Sequence, residues 1–93
     1  MQEPLSPPDS KQQIRSILAT GELRFSGHAL DEMRKDGLSE IDCINVLRGG
    51  VVEPAEFENG SWRYRVHTSM IVVVACFRSE TQLVVVTAWR MRR

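Results

Sequence analysis

The run Asn59-Gly60-Ser61-Trp62-Arg63-Tyr64-Arg65-Val66-His67-Thr68-Ser69 restricts the fold more than any other stretch of the chain. Asn-Gly is a strong hairpin signal, because both residues accept the left-handed backbone of a two-residue turn. Thr68-Ser69 supplies a second tight turn at the other end. Between the turns, a strand's period of two sends Trp62, Tyr64 and Val66 one way and Arg63, Arg65 and His67 the other. One face is made for burial. The other carries two fixed cations and a titratable imidazole, which points to a phosphate-facing surface.

The neighbouring segments extend this strand into a meander. Val51-Val52-Glu53-Pro54-Ala55-Glu56-Phe57 reads as one strand, with Pro54 assigning it to a sheet edge. Met70 to Phe77 is apolar on both faces, as a central strand is, and Leu83 to Trp89 follows the turn Arg78-Ser79-Glu80-Thr81. Strict alternation over 83–90 groups Trp89 with Thr87, Val85 and Leu83, and Arg90 with Ala88, Val86 and Val84.

Helices precede the strands. Ser10 with Gln13 has the form of a capping box, and Ile14, Ile17 and Leu18 recur at helical spacing up to Gly21. Leu23 to Ser26 alternates too briefly for more than a short strand or link. Ser26 is the expected N-cap of a helix over 27–36 with Ala29, Leu30 and Met33 inward, ended by Gly37. Ser39 and Asp42 open a third helix, with Ile41, Ile44 and Leu47 inward and Gly49-Gly50 at its end. Helices followed by a meander make an α+β fold, two to three N-terminal helices packed on a four-stranded antiparallel sheet. Residues 1–9 are expected to be a disordered lead and 10–93 a single domain.

Ninety-three residues bury roughly 60–65% of the unfolded surface, enough for one modest core. No apolar run is long enough to span a membrane, and the start lacks the regions of a signal peptide, so the cytoplasm is the expected location. Cys43 and Cys76 match no zinc spacing and are read as reduced core thiols; no metal or cofactor is expected. The net charge of zero conceals a split: residues 1–58 carry −5 and residues 59–93 carry +5, all six cations of the latter being Arg. Such a split suits a polyanion partner, since the planar Arg fork matches phosphate. Acidic helices neutralising a basic sheet would produce the same split.

Phe25-Ser26-Gly27-His28-Ala29-Leu30-Asp31-Glu32-Met33, then Gly37-Leu38-Ser39-Glu40-Ile41-Asp42, resembles the opening of a bacterial domain-of-unknown-function family. Arg63-Tyr64, Ile71 to Ala75 and Val84-Val85-Val86-Thr87-Ala88-Trp89 match that family's later pattern, so the resemblance covers about residues 23–91. That family looks similar to RelE/MqsR-like toxins of toxin–antitoxin pairs, which are small metal-independent ribonucleases. The resemblance therefore implies a RelE-like arrangement and RNA cleavage. Its implied partners are RNA, ribosome-bound mRNA included, and a cognate antitoxin. Dimerisation stays open. The family pattern has Tyr where Trp89 stands, so this chain lacks that phenolic proton donor.

Metal-independent RNA cleavage needs proton transfer at the 2′-hydroxyl and the leaving 5′-oxygen, and cations for the charge that builds on phosphorus. His28 and His67 are the candidates for the first task, Arg63 and Arg65 for the second. Trp89, Thr87, Arg90 and Arg34 are candidates for RNA binding, Trp89 by stacking on a base. Each has a plainer reading. His67 would be a solvated histidine, and Arg63 and Arg65 would pair with Glu56 or Glu58. His28 would be a hydrogen-bonded helix residue, Trp89 would pack on the helices, and Arg34 would lie on a wet helix face. A non-catalytic nucleic-acid- or protein-binding module is the alternative to an enzyme.

Overall fold

A computed structural model describes residues 1–92. Ser6, four residues before the expected cap Ser10, caps the first helix, α1 (Pro7–Thr20), by accepting from the Asp9 amide. Pro7 and Pro8 occupy the first turn, where a missing N–H costs nothing. Ser10, expected to be the cap, is instead fully buried and donates its hydroxyl to the Ser6 carbonyl at 2.7 Å. The segment before α1 lies against the sheet. Tyr64 accepts from the Leu5 amide at 3.0 Å and donates to Glu3 at 2.8 Å, while burial pushes the phenol up to about 12.

Strand β1 (Glu22–Phe25) leads into α2 (Gly27–Lys35), capped by Ser26, and Gly37 leaves it with φ +65°. Helix α3 (Glu40–Gly49) opens with the full Ser39–Asp42 capping box. Its inward face differs from the expectation: Cys43, Val46 and Leu47 are buried and Ile41 is 68% exposed. With 3.6 residues per turn, Ile41 lies on the opposite side of α3 from the Cys43, Val46 and Leu47 stripe. Leu30 likewise faces out from α2, where Ala29 and Met33 are the buried pair.

The sheet corrects the four-stranded antiparallel expectation. It has six strands and is mixed, in the order β1, β6 (Gln82–Arg90), β5 (Ile71–Ser79), β4 (Ser61–His67), β2 (Val51–Val52), with β3 (Glu56–Glu58) also paired to β4. Strand β1 runs parallel to β6, a pairing that four residues of weak alternation did not announce. The expected strand over 51–57 is two strands. The Glu53 amide still donates to the Arg65 carbonyl, but Pro54 has no N–H to give the ladder, so pairing breaks there and resumes at Glu56. Asn59 (φ 51°) and Gly60 (φ 82°) make the expected two-residue hairpin between β3 and β4.

All three helices contribute to one core with a single face of the sheet: Ile14, Ile17, Ala29, Met33, Cys43, Val46 and Leu47 meet Tyr64, Val66, Val73, Ala75, Leu83, Val85 and Ala88. The burial of Leu83, Val85 and Ala88 breaks strict alternation. Ala75 pairs with Val85 and Val74 with Thr87, so Val86 is an extra residue, a β-bulge. Beyond it the faces exchange. Ala88 and Arg90 lie on the helix side, and Thr87 and Trp89 join Val84 on the other, which overturns the grouping drawn from strict alternation.

The last turn of α3 passes close to β4, and Gly50 makes that approach possible. A Cβ there would stand 2.6 Å from the Val46 carbonyl and 2.8 Å from the His67 carbonyl, both backbone atoms. Gly50→Ala should therefore cost about 1–3 kcal/mol through forced backbone movement. Urea unfolding would show this as a lower midpoint at unchanged slope, and an unaltered midpoint would mean the contact relaxes freely.

Candidate nucleic-acid interface

The helix-free face of the sheet is laid out by register. His67, Val72 and Trp89 form one transverse row, and Arg65, Val74 and Thr87 form the next. Farther along, Cys76, Val84 and Arg24 share a third row. Val72, Val74 and Val84 are buried at 4%, 9% and 8% exposure yet lie outside the helix-side core. Long side chains cover them instead. Arg65 reaches across β5 to place its guanidinium carbon 5.6 Å from the centroid of the Trp89 ring. Two strand spacings of about 4.8 Å separate their backbones, so the Arg65 stem must lie over the valines.

Two clefts adjoin this bridge. One is lined by Glu53, Arg65, His67, Val72, Trp89 and Met91, the other by Glu56, Glu58, Arg63, Arg65, Val74, Thr87 and Trp89. Arg65 and Trp89 belong to both. In the first cleft His67 Nε2 lies 3.1 Å from Glu53 Oε2, with both side chains part exposed. A carboxylate only accepts, so Nε2 is the donor in this pair, and a neutral ring held this way has its lone pair on Nδ1. In the second, Arg63 Nε donates to the Ser61 hydroxyl at 3.2 Å, and Glu56 stands opposite Arg63 in register. The face is thus bordered by acids along its β2–β3 side, a feature the one-sign pattern of β4 did not convey.

The candidates separate cleanly in space. Arg63, Arg65, His67, Thr87 and Trp89 converge on these clefts. Arg90 does not: it donates from Nε to the Asp36 carbonyl at 2.8 Å and from Nη2 to the Gly37 carbonyl, closing the C-terminal end of α2. Arg92 reaches the Asp36 carboxylate at 2.6 Å. Arg34 pairs with Asp31 on the exposed side of α2. His28 is exposed on α2 and lines neither cleft. Trp89 is not part of the helix-side core.

The pattern of the family described as domain of unknown function DUF4258 matches residues 25–90, which is most of the chain. The chain belongs to the DUF4258 family. The match in this DUF4258 domain runs from the end of β1 through Arg90 and so contains every residue of both clefts except Met91. No curated protein and no solved structure matches the chain. Among the described residues no helix is long and apolar enough to cross a membrane.

Three residues of this face carried no clear sequence signal. Glu53 sits beside a proline, far in sequence from His67, and only the pairing of β2 with β4 brings them together. Arg78 and Arg24 lie in separate segments but line one polar cleft with Gln82, Leu83 and Val84. Charge counting alone could have flagged Arg78, since it stands in the arginine-only half.

The Arg65–Trp89 contact can be tested in a Trp62→Phe background, which leaves Trp89 as the sole indole. Arg65→Ala should uncover the ring and the valines, shifting Trp89 emission to the red and lowering stability by about 0.5–1 kcal/mol. Unchanged emission would show that Arg65 does not cover the ring.

Proposed function

We propose that the helix-free face binds single-stranded RNA and cleaves it without a metal, by attack of a 2′-hydroxyl on the adjoining phosphate. The observation that carries this reading is one cleft in which a carboxylate-held imidazole, a guanidinium and an indole adjoin: Glu53–His67, Arg65 and Trp89. His67 Nδ1 takes the 2′-hydroxyl proton while Glu53 holds the ring by its other nitrogen. The 2′-oxygen bonds to phosphorus, the bond to the 5′-oxygen breaks, and that oxygen leaves with a proton from water. The products are a 2′,3′-cyclic phosphate and a 5′-hydroxyl end. Arg65 and Arg63 offset the charge that builds on the phosphoryl oxygens.

Magnitudes favour a rearrangement on binding. The exposed Arg65–Trp89 contact is worth about 0.5–1 kcal/mol, whereas a base stacked on an aromatic ring is worth about 1–3 kcal/mol. A base therefore displaces the guanidinium from Trp89 and frees it for phosphate. The resemblance to RelE/MqsR-like toxins adds the setting: an RNA-cleaving toxin restrained by an antitoxin, for which the short edge strands at 51–52 and 56–58 offer a pairing surface.

A binding-only module is the second reading, and a specific observation favours it. The clefts hold a single imidazole, so no second histidine stands ready to protonate the leaving oxygen. RNA affinity that falls steeply with salt, with no cleavage products, would decide for that module.

For the enzyme, RNA incubated with the protein should yield fragments with cyclic-phosphate ends. His67→Ala should slow this about 10²–10⁴-fold, and Arg65→Ala should lower the rate with only modest loss of binding. Free RNA and translating ribosomes left intact by the wild type, with no growth defect on expression, would refute the proposal.

A further inference from the structure

The polar cleft at the far end of the helix-free face is lined by Arg24, Arg78, Gln82, Leu83 and Val84. Its residues are not equivalent. Arg24 donates to Glu22 at 3.0 Å, and Gln82 donates to the other oxygen of the same carboxylate at 2.7 Å. The hydrogen bonds from Arg24 and then Gln82 hold the Glu22 carboxyl below its usual range, so it stays ionised and occupies much of the charge of Arg24. Arg78 is exposed and, among the described residues, has no acid within ion-pair distance.

Cys76 links this cleft to the working clefts. It shares a row with Val84 and Arg24, and Tyr64 opposite Ala75 places Arg63 beside it on the other flank. Burial raises the Cys76 thiol, while Arg63 and Arg78 both pull it back, as expected of two guanidinium groups flanking one sulfur. Arginines thus continue along β4 and β5 from Arg65 through Arg63 to Arg78. From the row of Val72 to Arg78 the distance along β5 is about 20 Å, longer than a single nucleotide. The acids of the opposite border, Glu53, Glu56 and Glu58, repel a phosphate chain from the β2–β3 side. Glu56 and Glu58 on that border have no ion pair among the described residues, whereas Glu22, the carboxylate on the β1 side, is paired with Arg24.

We propose that Arg78, flanked by Arg24 and Gln82, is a second phosphate subsite that holds an RNA strand several nucleotides from the Trp89 cleft. This rests on the RNA reading above and extends it. It makes the ligand an oligonucleotide lying along β5 rather than a mononucleotide seated in one cleft. Arg78 takes no part in the chemistry and acts on length-dependent affinity alone.

The test measures anisotropy of fluorescein-labelled, fully 2′-O-methylated oligonucleotides, which cannot be cleaved, across a salt series. Arg78→Ala should weaken a hexanucleotide about five- to tenfold, lower its log–log salt slope by about 0.7, and leave a dinucleotide unaffected. Arg78→Lys should restore most of the slope. Wild-type hexanucleotide binding that Arg65→Ala weakens and Arg78→Ala does not would overturn the subsite and leave the RNA reading standing. Equal weakening of both lengths would also overturn it. Failure of the wild type to bind either length would remove both.

Discussion

The extra residue at Val86 governs how this sheet divides its residues between two faces. The core requires Leu83, Val85 and Ala88 on one side, and no regular strand can deliver that spacing. The bulge absorbs the mismatch, and α2 is tied to it. The Ser26 amide donates to the Val85 carbonyl and the Ser26 hydroxyl to the Val86 carbonyl, while the same hydroxyl oxygen caps α2. Downstream of the bulge, Thr87 and Trp89 turn away from the helices and Arg90 turns towards the end of α2. Removing the register shift would return Trp89 to the core and empty the clefts of their indole.

The charge split of the sequence has two separate structural causes. Arg90 and Arg92 serve the helix layer, satisfying the Asp36 carboxylate and the Asp36 and Gly37 carbonyls just past α2. Arg63, Arg65 and Arg78 remain on the helix-free face. That face is not uniformly positive, because Glu53, Glu56 and Glu58 border it. The acids give the surface a direction: Glu53, Glu56 and Glu58 stand along the β2–β3 side, and Arg24 and Arg78 stand at the end nearer β1. Glu53 has the further task of fixing the His67 ring.

Local chemistry was legible wherever side-chain contrast was strong. Asn59-Gly60 gave the hairpin, Ser26 and Ser39 gave the caps, and the aromatic–arginine alternation of 61–67 gave the right face for each of its residues. The bulge was hidden because Val84-Val85-Val86 offers no polar–apolar contrast from which a change of face could be read. Ser6 is obscured because Ser10 also has the form of a cap, and only burial shows that Ser10 lies a turn inside the helix. The parallel β1 was obscured by its brevity. The Glu53–His67 pair depends on a two-residue strand interrupted by Pro54, which no local pattern announces.

The proposed RNA binding puts the working surface on the helix-free face and not on the helix layer. Amide and indole chemical shifts recorded while a 2′-O-methylated RNA hexanucleotide is titrated in would test it most directly. Shifts are expected at Arg65, His67, Val72, Val74, Thr87 and the Trp89 indole, with α1 and α3 unmoved. Shifts confined to the helices, or none at saturating RNA, would contradict it.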